Sequence, residues 1–163
     1  MLRFFEIARV GAGTLFTGPR PRHATLNEWC KEAKSLGVTH VVSLIEDSEV
    51  TDYRLQEEGD LLNANGIAFT HFPIDDFQTP QTDDFYDLVK RLHAGMESGT
   101  SILAHCAGGV GRAGTFASCM LVADGMVAGE AIQLVSQKRG EVSPETKGQM
   151  EFVRAAHGLN QDA

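Results

Sequence analysis

Segments with apolar residues at helical spacing alternate along this chain with short β-branched or apolar runs. The first predicted helix places Leu26, Trp29 and Ala33 on one face and ends at Gly37. The run at 39–44 that follows it predicts a strand. Because the alternation continues through most of the sequence, it predicts a three-layer α/β fold, in which helices flank a central, mainly parallel sheet.

The other predicted elements follow from the same two patterns. Further strands are predicted at 67–72 and 101–105. A second predicted helix carries Leu55, Leu61 and Leu62 and ends near Gly66. Further helices are predicted at 83–99, at 115–124, at 130–139 and from Ser143 to His157. Residues 73–82 are predicted to form a polar loop.

The two ends of the chain and the start of the first helix carry patterns of their own. Apolar residues at 4–7 and 14–17 predict one or two strands at an edge of the sheet. Thr25 followed by Glu28 predicts a capping box at the start of the first helix. The tail at 158–163 is predicted to fray.

Size, composition and charge narrow the class of protein. The chain has 163 residues, 42% of them hydrophobic, which is enough to bury a core without disulfides or metals. We therefore expect a single domain over 1–163. The formal net charge is -8 and no run of Lys or Arg occurs, so neither nucleic acid nor an anionic membrane is an expected partner.

The cysteines indicate a reducing compartment, because Cys30, Cys106 and Cys119 make an odd count without a CxxC pair. The sequence also lacks a signal-peptide pattern and an apolar stretch approaching the ~18 residues of a membrane span. Together these features predict a cytoplasmic protein. The histidines show no metal-ligand spacing, so we predict no metal and no cofactor.

The segment 105–112, His-Cys-Ala-Gly-Gly-Val-Gly-Arg, joins a predicted buried strand to a predicted helix. Its glycines allow successive N–H groups to point inward as an anion nest, and the helix adds a partial positive charge at its first turn. A dianionic phosphate is the expected guest, and Arg112 would grip two of its oxygens. The other residues expected to surround the phosphate are Ala107, Gly108, Gly109, Val110 and Gly111.

Cys106 is the predicted nucleophile. Helix N-termini and nearby cations favour the thiolate form of a cysteine at neutral pH, and a thiolate beneath a bound phosphate is placed to attack phosphorus. The leaving oxygen needs a proton donor, and the loop after strand 67–72 offers Asp75 and Asp76 at the same end of the sheet. These residues alone leave open which carboxyl group serves.

The segment HCAGGVGRAG resembles the signature of the protein tyrosine phosphatase superfamily, which is His-Cys, five residues and Arg. GVTHVVSLIEDSE and HFPIDDFQTP extend the resemblance to the small dual-specificity branch, in particular the kinase-associated phosphatases. The resemblance implies that Asp76 is the general acid, that His105 fixes the loop, and that Gln149 positions the hydrolytic water. It also implies hydrolysis through a phosphocysteine, with phosphotyrosine in a protein or peptide as substrate and phosphoserine or phosphothreonine as further substrates.

One position departs from the pattern, because Ala113 stands where most of the superfamily carries a Ser or Thr hydroxyl that stabilises the departing thiolate. The phosphatases of regenerating liver are similar in carrying Ala there. The departure leaves a second hypothesis, a phosphoprotein-binding module with little turnover. A third hypothesis, a thiol-based redox enzyme similar to arsenate reductase, needs a resolving thiol near Cys106, for which Cys30 and Cys119 are the candidates.

Overall fold

A five-stranded sheet lies at the centre of the fold. The structure is a computed structural model and describes residues 4–160. The strands are β1 (Phe5–Val10), β2 (Gly13–Pro19), β3 (His40–Ser43), β4 (Ala68–His71) and β5 (Ile102–Cys106). Their order across the sheet is β1-β2-β5-β3-β4, and every neighbouring pair is parallel except β1 with β2. The mainly parallel sheet is therefore confirmed.

Helices flank this sheet. Within the described residues they are α1 (Leu26–Ser35), α2 (Asp47–Asp52), α3 (Glu58–Ala64), α4 (Thr82–Glu97), α5 (Arg112–Ala123), α6 (Ala128–Arg139) and α7 (Lys147–Arg154), with 3-10 helices at His23–Thr25 and Ala156–Asn160. None of the helices between residues 4 and 160 combines the length and the apolar character needed to span a bilayer.

The two faces of the sheet carry separate hydrophobic clusters, because successive side chains of a strand point to opposite faces. On β5, Ile102, Ala104 and Cys106 pack in the cluster formed with helices α4 to α7. Leu103 packs on the other face, in the cluster formed with α1 and α3. The three-layer arrangement is thus confirmed, and Cys106 and His105 face opposite layers.

The N-terminal strands differ from the sequence-based expectation in one respect. β2 lies inside the sheet rather than at its edge, since it pairs in parallel with β5 from Leu15 with Ile102 to Pro19 with Cys106. Its other side pairs with β1, which forms the edge. The end of β2 therefore lies beside Cys106.

The predicted capping box of α1 and the predicted start of the last helix were wrong. Thr25 makes no side-chain cap bond, because it is the last residue of a 3-10 turn and its backbone lies outside the extended geometry of a capping residue. The last helix begins at Lys147 rather than at Pro144, where Thr146 and Gln149 form a capping box. Residues 158–160 belong to a 3-10 helix whose Leu159 is buried, and residues 161–163 lie outside the described range. Fraying of the tail stays a prediction.

Candidate active site

The loop between β5 and α5 curls tightly around the thiol of Cys106. Cys106 is the last residue of β5, and α5 begins six residues later at Arg112, earlier than the sequence pattern indicated. Gly109 adopts a φ of 76°, and a Cβ there would lie only 2.4 to 2.6 Å from backbone atoms of Gly18 and Pro19. Only glycine fits this position, because the end of β2 leaves no room for a side chain.

The carbonyl groups of the loop are held by side chains from outside it. Arg139 donates from Nε to the Gly109 carbonyl at 3.1 Å and from Nη2 to the Gly108 carbonyl at 2.9 Å. The Ser143 hydroxyl donates to the Val110 carbonyl at 2.6 Å. Because a peptide group is planar and trans, anchoring a carbonyl on one side turns the next N–H to the other. The loop amides are therefore available to an anion.

One of these amides already contacts the candidate nucleophile. The Gly109 N–H donates to Cys106 Sγ at 3.3 Å, and the Cys106 residue is only 3% exposed. The sulfur thus lies at the base of the nest that the sequence predicts.

Arg112 is almost fully buried, with 1% of its surface exposed. Nη1 and Nη2 donate to the two carboxylate oxygens of Glu49 at 2.7 and 3.0 Å, and Nη1 also donates to the Ile74 carbonyl at 3.0 Å. Nε has no acceptor among the described residues. Leaving a buried donor without an acceptor costs about 1–3 kcal/mol. A bound phosphate would remove this cost, because one of its oxygens could accept a hydrogen bond from Nε.

The pair of Arg112 and Glu49 is electrostatically coupled. Burial alone would raise the pKa of Glu49, but the hydrogen bond from Arg112, a backbone hydrogen bond and the nearby guanidinium charges bring it below its ordinary value. Burial opposes the charged form of Arg112 as well, yet Glu49, Cys106 and Asp76 raise the pKa of the guanidinium. Both groups are therefore charged when the site is folded.

Of the two candidate acids, Asp76 is the one that lies against Arg112. Its Oδ1 is 3.1 Å from Nη2 of Arg112, and the residue is 42% exposed. Its backbone N–H donates to Glu46 Oε2 at 3.2 Å, and the N–H of Phe77, at a φ of 62°, donates to Asp76 Oδ1 at 3.0 Å. These bonds hold the carboxylate over the loop, close enough to serve a group bound there.

His105 forms a buried pair behind the nucleophile. Its Nε2 lies 2.6 Å from Oε1 of Glu58 on α3, with 0% and 2% of the two side chains exposed. Its Nδ1 lies 3.4 Å from the Cys106 carbonyl, and Trp29 packs edge-on against its ring. The ring is therefore fixed between two layers and next to the backbone of Cys106.

Gln149 is fully buried and both ends of its amide have protein partners. Oε1 accepts from the backbone N–H groups of Glu145 and Thr146 at 3.2 and 3.1 Å, and Nε2 donates to the Gln78 carbonyl at 3.3 Å. The side chain thus ties the start of α7 to the loop that carries Asp76. This is a bridging position beside the site.

The other two cysteines are poor candidates for a resolving thiol. Both are buried. Burial, and then the charge of Glu58, raises the pKa of Cys30 to about 11, and burial also raises the pKa of Cys119. Both thiols are therefore protonated at neutral pH, and a protonated thiol is a weak nucleophile.

One group in the described residues has the spacing of metal ligands, namely His93, Glu97 and Asp124. This group lies at the end of α5 away from Cys106. A direct contact of 2.9 Å between His93 Nε2 and Asp124 Oδ1 explains why the side chains lie close together without a metal ion. It contributes nothing to the site at the loop. The absence of a metal stays a prediction.

Sequence reasoning missed four residues that shape the site: Glu49, Glu58, Arg139 and Ser143. Each lies 30 or more positions from its partner along the chain, for example 63 positions between Glu49 and Arg112. A local signal did exist for Glu49, because Glu46 and Glu49 have capping-box spacing directly after a strand. The buried partners of His105 and of the loop carbonyls had no local signal.

Comparisons with known proteins agree with this geometry. Residues 7–158 match a family model described as Swiss Army Knife protein, DSP-PTPase phosphatase domain. Cyclin-dependent kinase inhibitor 3 of Rattus norvegicus is 29% identical over 125 residues, which cover 76% of this chain and 59% of that protein. Protein tyrosine phosphatase type IVA 2 of Mus musculus is 32% identical over 122 residues, covering 73% of this chain and 68% of that one.

Solved structures show the same fold. Kinase associated phosphatase, with its catalytic cysteine replaced by serine, superposes with a TM-score of 0.84 at 22% identity and covers 100% of this chain and 97% of its own. Tk-PTP in its active form has a TM-score of 0.74 at 28% identity, covering 93% and 94%. The chain spans less than two thirds of the cyclin-dependent kinase inhibitor 3 that it matches.

Proposed function

This chain belongs to the DSP-PTPase phosphatase family, and on that premise we propose that it hydrolyses phosphate monoesters through a phosphocysteine on Cys106. The observation that carries the proposal is the pairing of a thiol inside an amide nest with a buried guanidinium whose Nε has no protein acceptor. A phosphate oxygen would complete the hydrogen bonds of Arg112 while phosphorus lies above Cys106 Sγ. We propose that residues 1–163 form a single domain of this kind.

In the first step, the Cys106 thiolate attacks phosphorus and the bond to the leaving oxygen breaks. Asp76 gives its proton to that oxygen, which the position of the carboxyl group beside Arg112 supports. The amides of 107–111 and Arg112 stabilise the charge that spreads over the equatorial oxygens. The products of this step are a free alcohol or phenol and the phosphocysteine.

In the second step, a water molecule attacks the phosphocysteine and returns its proton to Asp76. His105 acts as a positioning residue, since its ring lies between Glu58 and the carbonyl of Cys106. Gln149 is assigned a positioning role for the hydrolytic step, through the acid loop and the start of α7 that it joins. We assign no metal and no cofactor to either step.

The substrate we propose is phosphotyrosine in a protein or peptide, with phosphoserine and phosphothreonine as further substrates. The family supports a phosphoprotein substrate, and the acidic chain offers no surface suited to nucleic acid or an anionic membrane. An odd number of cysteines, none of them in a disulfide, supports a cytoplasmic location.

A second candidate function is a phosphoprotein-binding module with little turnover. The observation that favours it is Ala113, which is fully buried in the first turn of α5 and offers no hydroxyl to the departing thiolate. The placement of an aspartic acid side chain, Asp76, over the loop favours turnover instead, because pure binding has no need of an acid–base group there. The redox hypothesis is disfavoured by the burial of Cys30 and Cys119.

The test is stopped-flow hydrolysis of p-nitrophenyl phosphate by the wild type and Cys106→Ser, followed by phosphotyrosine and phosphothreonine peptides. We expect release of p-nitrophenol that depends entirely on Cys106. Cys30→Ser is the matched control, because it removes a buried thiol away from the loop and should retain the activity. Tight phosphopeptide binding without Cys106-dependent release would favour the binding module.

A further inference from the structure

The loop that carries Asp76 runs beside the segment that leads into α2. Backbone hydrogen bonds join the two segments as far as Ile74, whose N–H donates to the Leu44 carbonyl at 3.1 Å. Beyond that point the contact differs in kind, because the Asp76 N–H donates to a side chain, Oε2 of Glu46, at 3.2 Å. A side-chain acceptor thus takes over where the backbone pairing ends.

The turn that follows Asp76 needs an anchor of this kind. Phe77 is not a glycine, yet it adopts a φ of 62°, and such a backbone costs about 1–3 kcal/mol and persists only where its surroundings hold it. Packing does not hold it, because the Phe77 residue is 57% exposed. The hydrogen bonds on either side of Phe77 therefore carry the turn, from Asp76 to Glu46 and from Gln149 Nε2 to the Gln78 carbonyl.

The contact between Asp76 and Arg112 cannot replace this anchor during the first step. It joins Oδ1 to Nη2 at 3.1 Å and depends on a charged carboxylate, whereas a general acid carries its proton when the substrate binds. A bound phosphate also competes for the same guanidinium. The bond to Glu46 is made by the backbone N–H, so it depends neither on the proton of Asp76 nor on the substrate.

Glu46 is itself well placed to act as an anchor. It is the partly buried N-cap residue of α2, and its N–H donates to Oε2 of Glu49 at 2.7 Å. The same carboxylate of Glu49 accepts two hydrogen bonds from Arg112. The start of α2 therefore holds both the guanidinium that binds the phosphate and the backbone of the acid.

We propose that Glu46 is a positioning residue for general acid catalysis by Asp76, an inference that rests on the proposed function. In the first step the S–P bond forms and the bond from phosphorus to the leaving oxygen breaks. The leaving oxygen keeps the electron pair of that bond and takes the proton of Asp76, which becomes a carboxylate. Glu46 touches no reacting atom; it holds the backbone from which that proton is delivered.

Glu46→Ser tests the inference, because serine is a preferred N-cap residue but is too short to reach Asp76. The start of α2, and with it Glu49, should therefore keep its place. The quantity measured is kcat/KM, which covers the reaction up to formation of the phosphocysteine. The two substrates are p-nitrophenyl phosphate, whose leaving group departs readily without a proton, and phenyl phosphate, whose leaving group needs one.

In Glu46→Ser we expect kcat/KM for phenyl phosphate to fall about tenfold or more, and that for p-nitrophenyl phosphate to stay within about threefold. Asp76→Asn should show the same selective loss to a greater extent. Glu46→Gln keeps an acceptor oxygen and should stay close to the wild type. Asp47→Asn is the matched control, because it removes a charge from the same helix start at a side chain that is 91% exposed.

A double variant separates positioning from a merely structural role. Once Asp76→Asn has removed the acid, Glu46→Ser has nothing left to position, so the ratio of the two kcat/KM values should not change further. A structural role would lower both substrates equally in either background. If Glu46→Ser fails to fold, Glu46→Asp is measured instead, because aspartate also caps helices and its carboxylate is one methylene shorter.

The results that overturn the inference differ from those that overturn the proposed function. Equal falls for the two substrates, or a further change of their ratio in the Asp76→Asn background, would show that Glu46 does not position the acid. A wild type without any Cys106-dependent release would instead overturn the proposed function itself, and this inference with it.

Discussion

Glu49 accepts two hydrogen bonds from Arg112, with 2.7 Å from Oε2 to Nη1 and 3.0 Å from Oε1 to Nη2. This bidentate contact fixes the plane of the guanidinium from the side of α2 and leaves Nε for another acceptor. The short helix α2 is thus part of the candidate active site, although it contributes no atom to the loop itself.

Glu49→Gln should therefore reduce phosphatase activity, although Glu49 lies 63 positions from Arg112 along the sequence. An amide has one acceptor oxygen and no charge, so the buried guanidinium loses its partner and its orientation. We expect kcat/KM for p-nitrophenyl phosphate to fall about 10- to 100-fold and the free energy of unfolding to fall by about 3 kcal/mol. Asp52→Asn, an exposed change on the same helix, should alter neither quantity; wild-type kinetics in Glu49→Gln would contradict the assignment.

The same pair predicts a pH dependence of stability. The pKa of Glu49 is lower in the folded state than its ordinary value of 4.5, so the unfolded chain binds its proton more readily. Its contribution to stability is therefore full above about pH 4.5 and is lost as the pH falls through the folded-state pKa. Urea unfolding from pH 6 down to about pH 3 should show a shallower loss in Glu49→Gln than in the wild type. Parallel curves would mean that other carboxylates dominate.

The buried pair of Glu58 and His105 should be strongly coupled. Removing either partner leaves the other polar group buried without its hydrogen bond, so Glu58→Ala and His105→Ala should each cost about 3 kcal/mol of unfolding free energy. The double variant should cost less than the sum by about 1–3 kcal/mol. Chemical denaturation of the four proteins measures this difference. Additive costs would show that the 2.6 Å contact carries no interaction energy of its own.

Ala113→Ser tests whether the missing hydroxyl slows the second step. Ala113 is fully buried one residue after Arg112, and serine adds a single oxygen there. We expect the steady-state rate to rise severalfold relative to the burst, because the hydroxyl would stabilise the departing thiolate by roughly one hydrogen bond. Ala117→Ser, equally buried one turn later on α5, is the matched control. An identical response of both variants would refute the explanation.

The parts of the site that sequence reasoning predicted are those encoded locally. The loop from His105 to Arg112 combines a strand pattern, glycines and a helix start within a few residues. The structure places Cys106 and Arg112 at the two ends of this loop, within electrostatic reach of each other. The residues alone did not choose between Asp75 and Asp76; the family resemblance implied Asp76, and the structure places Asp76 against Arg112.

The parts that were missed depend on pairing between distant segments. β2 was assigned to an edge because its sequence does not reveal that β5 pairs with it on one side and β1 on the other. The helix α2 is only six residues long and holds no buried residue, so it has no apolar periodicity to detect. Pro144 resembled a helix start, but the contact between Ser143 and the Val110 carbonyl holds that segment against the loop instead.

Arg139 connects the anion nest to the outer edge of the sheet. Its guanidinium carbon lies 4.0 Å from the centre of the Phe5 ring on β1 while its nitrogens hold the carbonyls of Gly108 and Gly109. The strand β1 is thus a brace for the loop around Cys106, although it lies far from Cys106 in sequence. Trimming that strand would therefore act on the curvature of the nest through Arg139, without touching the pocket itself.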